Sequence, residues 1–420
     1  GKQNVLQEKH IAKIVDTYLE RGKEVGYSSL VYRRDILEND YNMNIPRYVT
    51  SKDEEIAHDV DAHLLGGIPE KDINNLEILS RMVPDILENS LNHKRIGYYE
   101  LTKEISELTD EIRESGQVAA ISEEMNAEID EYINKYWDIL TKVNKQSNIR
   151  DIMEDMLLEI KGILSNFQFI NVYDGYQNIA EIWKDCLTKD LELISISDFY
   201  TLARTREPNI IIKGSGNNRR EEQDGFISSL IPNELIVKQL YSVQASNIEN
   251  LKQEVSEIEM ELEAAKVEGS DENELLYECL SKNKEGEVGN SFAGKAIKDE
   301  LKGYNKDVDE YKMLKNIEKL MNDKLKINRE IRERETELKE LVEKRISILT
   351  EEEIDSLAYE KWFGSLIEEM INLIEKPLKS ELEILKLLDD RYKCTLNDLD
   401  EEYSELEASF ESLLSELVRI

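Results

Sequence analysis

Cysteine, proline and histidine are all scarce, at three, six and four of 420 residues, and each scarcity closes off a class of protein. Cys186, Cys279 and Cys394 are scattered and odd in number, and no spacing suits a zinc site or a disulfide framework, so a reducing cytoplasm is the expected setting. Six prolines and 18 glycines leave most of the chain unpunctuated, which favours long uninterrupted elements. No stretch approaches the ~18 consecutive apolar residues of a membrane helix. The N-terminus lacks a basic start followed by an apolar run, so neither a signal peptide nor a membrane partner is expected. Residue 1 is Gly rather than Met, which hints at a piece cut from something longer. Positive charge is also short: 54 Lys and Arg stand against 90 Asp and Glu, a net charge of −36. Such a chain repels a polyanion unless a local basic patch or a basic partner compensates. A stand-alone DNA binder is therefore a poor fit.

Catalytic signatures are missing too. There is no P-loop, no Rossmann glycine fingerprint and no nucleophile elbow. Gly214-Ser215-Gly216 is too short and too polar in its flanks for a phosphate cradle and suits a flexible turn. His58 and His63, with Asp59 and Asp61 between them, are five apart, which does not stack them on one helix face, so no metal is expected there. His10 and His93 are isolated from any candidate nucleophile. No catalytic, cofactor-binding or metal-binding residue is therefore assigned within this chain.

What the chain has is helical periodicity. Val5, Leu6, His10, Ile11, Ile14, Val15 and Tyr18 mark an amphipathic helix over 4–21, ended by Gly22 and Gly26. Tyr27 to Tyr32 suits a strand, and Tyr41 to Val49 looks extended, with Pro46 forbidding a regular helix. Ser51-Lys-Asp-Glu54 is a capping-box pattern that should open a helix ending near Gly66 and Gly67. From Ile68 to about Leu193 the pattern is helical almost throughout. After Pro232 a heptad seam of Ile248, Leu251, Val255, Ile258 and Leu262 begins. A glycine-bearing stretch, 269–294, separates it from a return helix over about 298–349, which predicts an antiparallel hairpin of helices. Thr350-Glu-Glu-Glu353 is a second capping box; its helix carries Trp362, Phe363, Leu366, Met370 and Leu373, with Pro377 just beyond. A last helix repeats Leu399, Tyr403, Leu406, Phe410, Leu414 and Leu417 at steps of three and four.

One window breaks the acidic rule. Thr201–Arg220 holds Arg204, Arg206, Lys213, Arg219 and Arg220 against the single acid Glu207, around an Ile210-Ile211-Ile212 strand and a hairpin-like turn. It suits contact with DNA phosphates in an assembled complex, or equally a surface loop neutralised by acidic helices nearby.

The run Ile36-Leu-Glu-Asn-Asp-Tyr-Asn-Met-Asn-Ile-Pro-Arg-Tyr-Val49 resembles a signature of the modification subunits of type I restriction–modification systems, in which a similar string closes the catalytic methyltransferase domain. Met43 stands where Leu is usual, and Asn44, Pro46, Arg47 and Tyr48 carry the likeness; their expected role is to shape and seal an edge strand rather than direct chemistry. Val172-Tyr-Asp-Gly-Tyr-Gln177 with Trp183 and Asp190–Ile194, then Leu230–Ile236, then Lys361-Trp362 and Leu388-Asp-Asp-Arg391-Tyr392, are similar to later segments in the same order, with Gly175 departing from Val and Ile182 from Tyr.

The resemblance implies a parent enzyme that uses S-adenosylmethionine to methylate adenine N6 on a flipped base in DNA. No Pro-Pro pair of the kind such a site needs exists here, so the chain itself is expected to be catalytically silent. It further implies a specificity subunit as partner, with a second modification subunit, a restriction subunit and DNA in the complex. Trp362, Phe363, Leu366, Leu406, Phe410 and Leu414 are the candidate docking residues, unless the chain's own hairpin covers them. The expected architecture is mainly α, with a small α/β edge piece at the N-terminus. It runs as a terminal methyltransferase piece over 1–66, a helical domain with a short β element near 205–220 over 67–235, a coiled-coil hairpin over 236–350, and docking helices over 351–420. The alternative from another class is a structural coiled-coil scaffold, which accounts for 236–420 and leaves 1–50 and 167–235 without a role.

Overall fold

The computed structural model describes residues 5–49, 56–214, 219–268, 276–282 and 288–417. The fold is mainly α, and the chain forms two compact units: residues 1–196 with 362–420, and residues 197–361.

The first unit opens with α1 (Glu8–Glu20), α2 (Arg33–Glu38) and a 3-10 turn (Ile45–Arg47). The strand expected at 27–32 is reduced to one bridge between Glu24 and Ser28. The extended run expected at 41–49 is a turn instead, because Asp40 and Tyr41 take left-handed backbone angles, φ 52° and 61°, that no strand contains. The Ser51–Glu54 capping box lies outside the described residues; α3 (Val60–Leu65) is capped by Asp59, whose Oδ1 accepts the Ala62 N–H at 3.0 Å.

Three short strands interrupt the region expected to be helical almost throughout. β1 (Ile68–Pro69) leads to α4 (Glu70–Asn74), α5 (Glu77–Met82) and α6 (Pro84–Asn89), then to β2 (Leu91–Arg95) and β3 (Tyr98–Leu101). They form an antiparallel sheet in the order β1-β3-β2, with Ile68 opposite Tyr99 and Leu91 opposite Leu101. Then α7 (Ile105–Arg113), α8 (Gly116–Leu140), α9 (Ile149–Leu164), α10 (Val172–Ile182), a π-helical turn (Trp183–Leu187) and α11 (Thr188–Ile196) follow. In α8 the buried set Val118, Met125, Ile129, Tyr132, Ile133, Tyr136 and Leu140 gives one continuous apolar face.

The second unit contains α12 (Phe199–Arg204) and an antiparallel pair, β4 (Arg206–Lys213) and β5 (Arg220–Ser228), as the strand-and-turn pattern predicts. Beyond it lie α13 (Asn233–Leu240) and α14 (Ser242–Glu268), the short pair β6 (Leu280–Lys282) and β7 (Val288–Phe292), then α15 (Gly294–Glu300) and α16 (Asp309–Ile346). Ile248, Val255 and Ile258 of α14 pack against Ile327 and Ile331 of α16. Lys252–Glu335 and Lys324–Glu259 ion pairs, each 2.7 Å, run in opposite order along the two helices, so the hairpin is antiparallel. The return helix is shorter than expected, beginning at Asp309 after a separate α15. Thr350 and Glu353 form the expected capping box, Thr350 N–H to Glu353 Oε2 at 2.9 Å and Glu353 N–H to Thr350 Oγ1 at 3.2 Å, at the start of α17 (Glu351–Phe363).

The chain re-enters the first unit as α18 (Leu366–Tyr392) and α19 (Leu396–Leu417). Pro377 lies inside α18 rather than beyond a helix end. A proline there removes one helical hydrogen bond. Buried Leu373, Ile374, Leu378, Leu382 and Leu385 on either side hold the helix in place by packing.

Candidate functional site

The N-terminal helix turns its apolar stripe outward. Apolar Ile11, Ile14, Val15, Tyr18 and Leu19 follow the spacing of a core-facing stripe, yet they are 44%, 50%, 47%, 81% and 71% exposed. The polar face is the one that docks. Lys9 Nζ reaches Asp174 Oδ1 at 2.8 Å, and its backbone N–H donates to Gln177 Oε1 at 3.0 Å. Asp16 is paired with Lys161 and accepts the Tyr173 hydroxyl at 2.9 Å. Lys376 completes a bridge to Asp174 at 2.8 Å. Burial alone would raise the Asp174 carboxyl, but the hydrogen bonds and charges of Lys376 and Lys9 outweigh it and hold that carboxyl below its ordinary value. Burial and the Asp16 carboxylate push the Tyr173 phenol up, so it stays a donor. These docking residues were not singled out from sequence; the available signal was the placement of Lys9, Lys13, Asp16 and Thr17 opposite the apolar stripe.

No residue from 5 to 49 is buried. Tyr41, Met43 and Ile45 are 68%, 76% and 70% exposed, and an open groove of about 810 Å³ lies between α1 and the 27–30 segment, lined by Ile14, Tyr18, Leu19, Tyr27 and Leu30. The signature residues fold this segment onto itself. Pro46 sits in the 3-10 turn that Asn44 precedes, Arg47 Nη1 donates to Asn39 Oδ1 at 3.4 Å, and the Tyr48 hydroxyl donates to the Asn42 carbonyl at 2.5 Å. They shape a tight turn, not a strand.

The basic window is largely taken apart by its neighbours. Arg204 Nε donates to the Leu349 carbonyl at 2.8 Å, a structural bond. Lys213 and Arg220 both reach Glu222, at 3.0 and 3.5 Å. Arg206 lies over the Phe226 ring, 5.4 Å from its centroid. Arg219 is exposed beside the turn at 215–218, which is outside the described residues. Across the ribbon, Glu207, Glu221, Glu222 and Asp224 equal Arg206, Lys213, Arg219 and Arg220 in number, so the ribbon carries no net positive charge.

The six candidate docking residues divide into two groups. Trp362, Phe363 and Leu366 are at most 1% exposed. Trp362 Nε1 donates to buried Asp190 at 2.8 Å, and its ring lies 5.5 Å from that of Trp137. These three belong to the chain's own core, which corrects their assignment to a partner surface. Leu406, Phe410 and Leu414 are 63%, 64% and 44% exposed on α19. His58 and His63 do come together despite their spacing, Nδ1 to Nε2 at 2.8 Å, because His58 precedes the helix that His63 sits on. The rings are nearly coplanar, 13° apart with centroids at 5.1 Å, the geometry of an edge-to-edge N–H···N bond rather than of two lone pairs converging on a metal. Among the described residues no group of three or more His, Cys, Asp or Glu could hold a metal ion.

The exposed N-terminal platform coincides with a family match. Residues 1–57 match the family N-6 DNA Methylase. This segment is similar to N6 DNA methyltransferases over 57 of 420 residues, and the likeness ends just before α3. No curated protein and no solved structure matches the chain. Among the described residues no helix is long and apolar enough to cross a membrane.

Proposed function

We propose that the chain is the non-catalytic helical part of a type I DNA adenine-N6 methyltransferase subunit, with residues 1–57 forming the terminal piece of its catalytic domain. The observation that carries this reading is the α1 stripe: a five-residue apolar face lies uncovered within the segment that matches the methylase family. A contiguous exposed apolar face of this kind marks a surface that gains by packing against another apolar surface. A catalytic domain packed on Ile11, Ile14, Val15, Tyr18 and Leu19 would be held to the helical unit through the ion pairs of Lys9 and Asp16. In this reading S-adenosylmethionine binds that catalytic domain and not this chain. The exposed α19 docks the specificity subunit, which brings the second modification subunit, the restriction subunit and DNA into the cytoplasmic complex. Arg219 and Arg206 are the members of the basic window best placed for DNA phosphates, since no carboxylate among the described residues engages them.

The test is Ile14→Asp combined with Tyr18→Asp. Both side chains are at least half exposed, so the chain's own melt should stay within about 0.5 kcal/mol of wild type. Association with the methyltransferase domain should fall at least tenfold, since each buried apolar anchor is worth about 2 kcal/mol. A lost melt with unchanged association would refute the reading.

A further inference from the structure

In α19 every residue from 396 to 414 is open to solvent. Most helical stability in proteins comes from packing of an amphipathic face, and the apolar face of this helix has no such cover among the described residues. Its N-terminus is made firm by a capping box, Thr395 N–H to Asp398 Oδ2 at 2.9 Å and Asp398 N–H to Thr395 Oγ1 at 3.0 Å. Leu399, Tyr403, Leu406, Phe410 and Leu413 step by four and three, which are heptad d and a positions.

The charges flanking that seam decide what can cover it. Asp400 and Glu407 fall at e positions and Glu402 at a g position, and residues 396–417 hold eight acids and no Lys, Arg or His. A parallel second copy would set Glu402 against Glu407 of the other chain. An antiparallel second copy would set the e-position acids Asp400 and Glu407 against each other. Either way acid meets acid, so self-pairing is opposed in both orientations.

We infer that α19 selects a heterologous helix with an apolar a/d seam flanked by Lys or Arg at e and g. This rests on the reading of α19 as a docking helix and adds the chemistry of its partner. The acidic rim acts as a filter: it admits a basic-rimmed helix and turns away copies of this same chain.

Two synthetic heptad peptides with identical Leu seams, one with Lys and one with Glu at every e and g position, titrated against the full chain near pH 7, test it. The Lys peptide should bind one to one and at least about tenfold tighter than the Glu peptide, the sum of a few exposed ion pairs. Phe410→Ala should weaken the Lys peptide by at least about tenfold while leaving tryptophan fluorescence unchanged, since Trp137, Trp183 and Trp362 all lie in the first unit's core or beside it. The chain alone should sediment as a species whose mass Leu406→Asp does not change. Equal binding of both peptides would overturn the charge filter and leave docking by α19 standing. Failure of both to bind would overturn docking itself, and dimerisation abolished by Leu406→Asp would make a second copy the occupant.

Discussion

Removing one buried carboxylate, Glu381 on α18, should cost the first unit several kcal/mol. Its side chain is 8% exposed and accepts two backbone N–H groups, Ile78 at 3.1 Å from Oε1 and Leu79 at 2.8 Å from Oε2. Those donors belong to the first turn of α5, whose N-cap residue is Leu76 and cannot cap. A side chain some 300 positions away in sequence therefore caps the helix. In Glu381→Ala the Leu79 N–H is left buried and unpaired, at about 1–3 kcal/mol, and the part-buried Ile78 N–H loses its bond, at about 0.5–1.5 kcal/mol. Loss of a negative charge at a helix N-terminus adds about 0.3–1 kcal/mol. The expected loss is about 2–5 kcal/mol. Glu381→Gln keeps one acceptor oxygen and should lose about half as much. Urea titration followed by tryptophan fluorescence reads this unit, and exposed Glu383→Ala is the control. A shift below about 0.5 kcal/mol in Glu381→Ala would refute the capping argument.

Acid should loosen α1. Asp174 has a folded pKa below its ordinary value, so its contribution is complete above about pH 4 and is lost as pH falls through the lowered folded value; amide exchange in α1 should accelerate there, and Asp174→Asn should remove most of that pH dependence. Gly175→Ala should destabilise despite a helix-propensity gain of about 1 kcal/mol. The new Cβ would sit 2.1 Å from Leu164 Cδ1 and 3.2 Å from Leu373 Cδ1, an overpacking cost of about 1–3 kcal/mol. Gly175→Val should lose more, and a denaturant midpoint that rises for either variant would contradict the packing account.

Long elements were legible and short ones were not. The α14 heptads and the Thr350–Glu353 box could be read because many residues, or two reciprocal hydrogen bonds, carry the same message. The β1-β3-β2 sheet could not, since its strands are two to five residues long and Leu91-Asn-His-Lys-Arg95 shows no apolar alternation. Pro377 misled because proline signals a helix end locally, while packing on both sides of it outweighs the lost hydrogen bond. The stripes of α1 and α19 were visible from spacing alone. Spacing says that a face is apolar and is silent on what covers it, so Trp362, Phe363 and Leu366 looked the same as Leu406 and Phe410. The basic window looked cationic because the acids that neutralise it, Glu221, Glu222 and Asp224, follow it directly on β5.

In the proposed function, methyl transfer belongs to a catalytic domain seated on the α1 face. S-adenosylmethionine titrated calorimetrically into this chain should give no stoichiometric heat, and the chain with its methyltransferase domain and specificity subunit should deposit N6-methyladenine in DNA, a product lost in the Ile14→Asp, Tyr18→Asp variant. Stoichiometric cofactor binding by this chain alone, or methylation unaffected by that variant, would contradict the account.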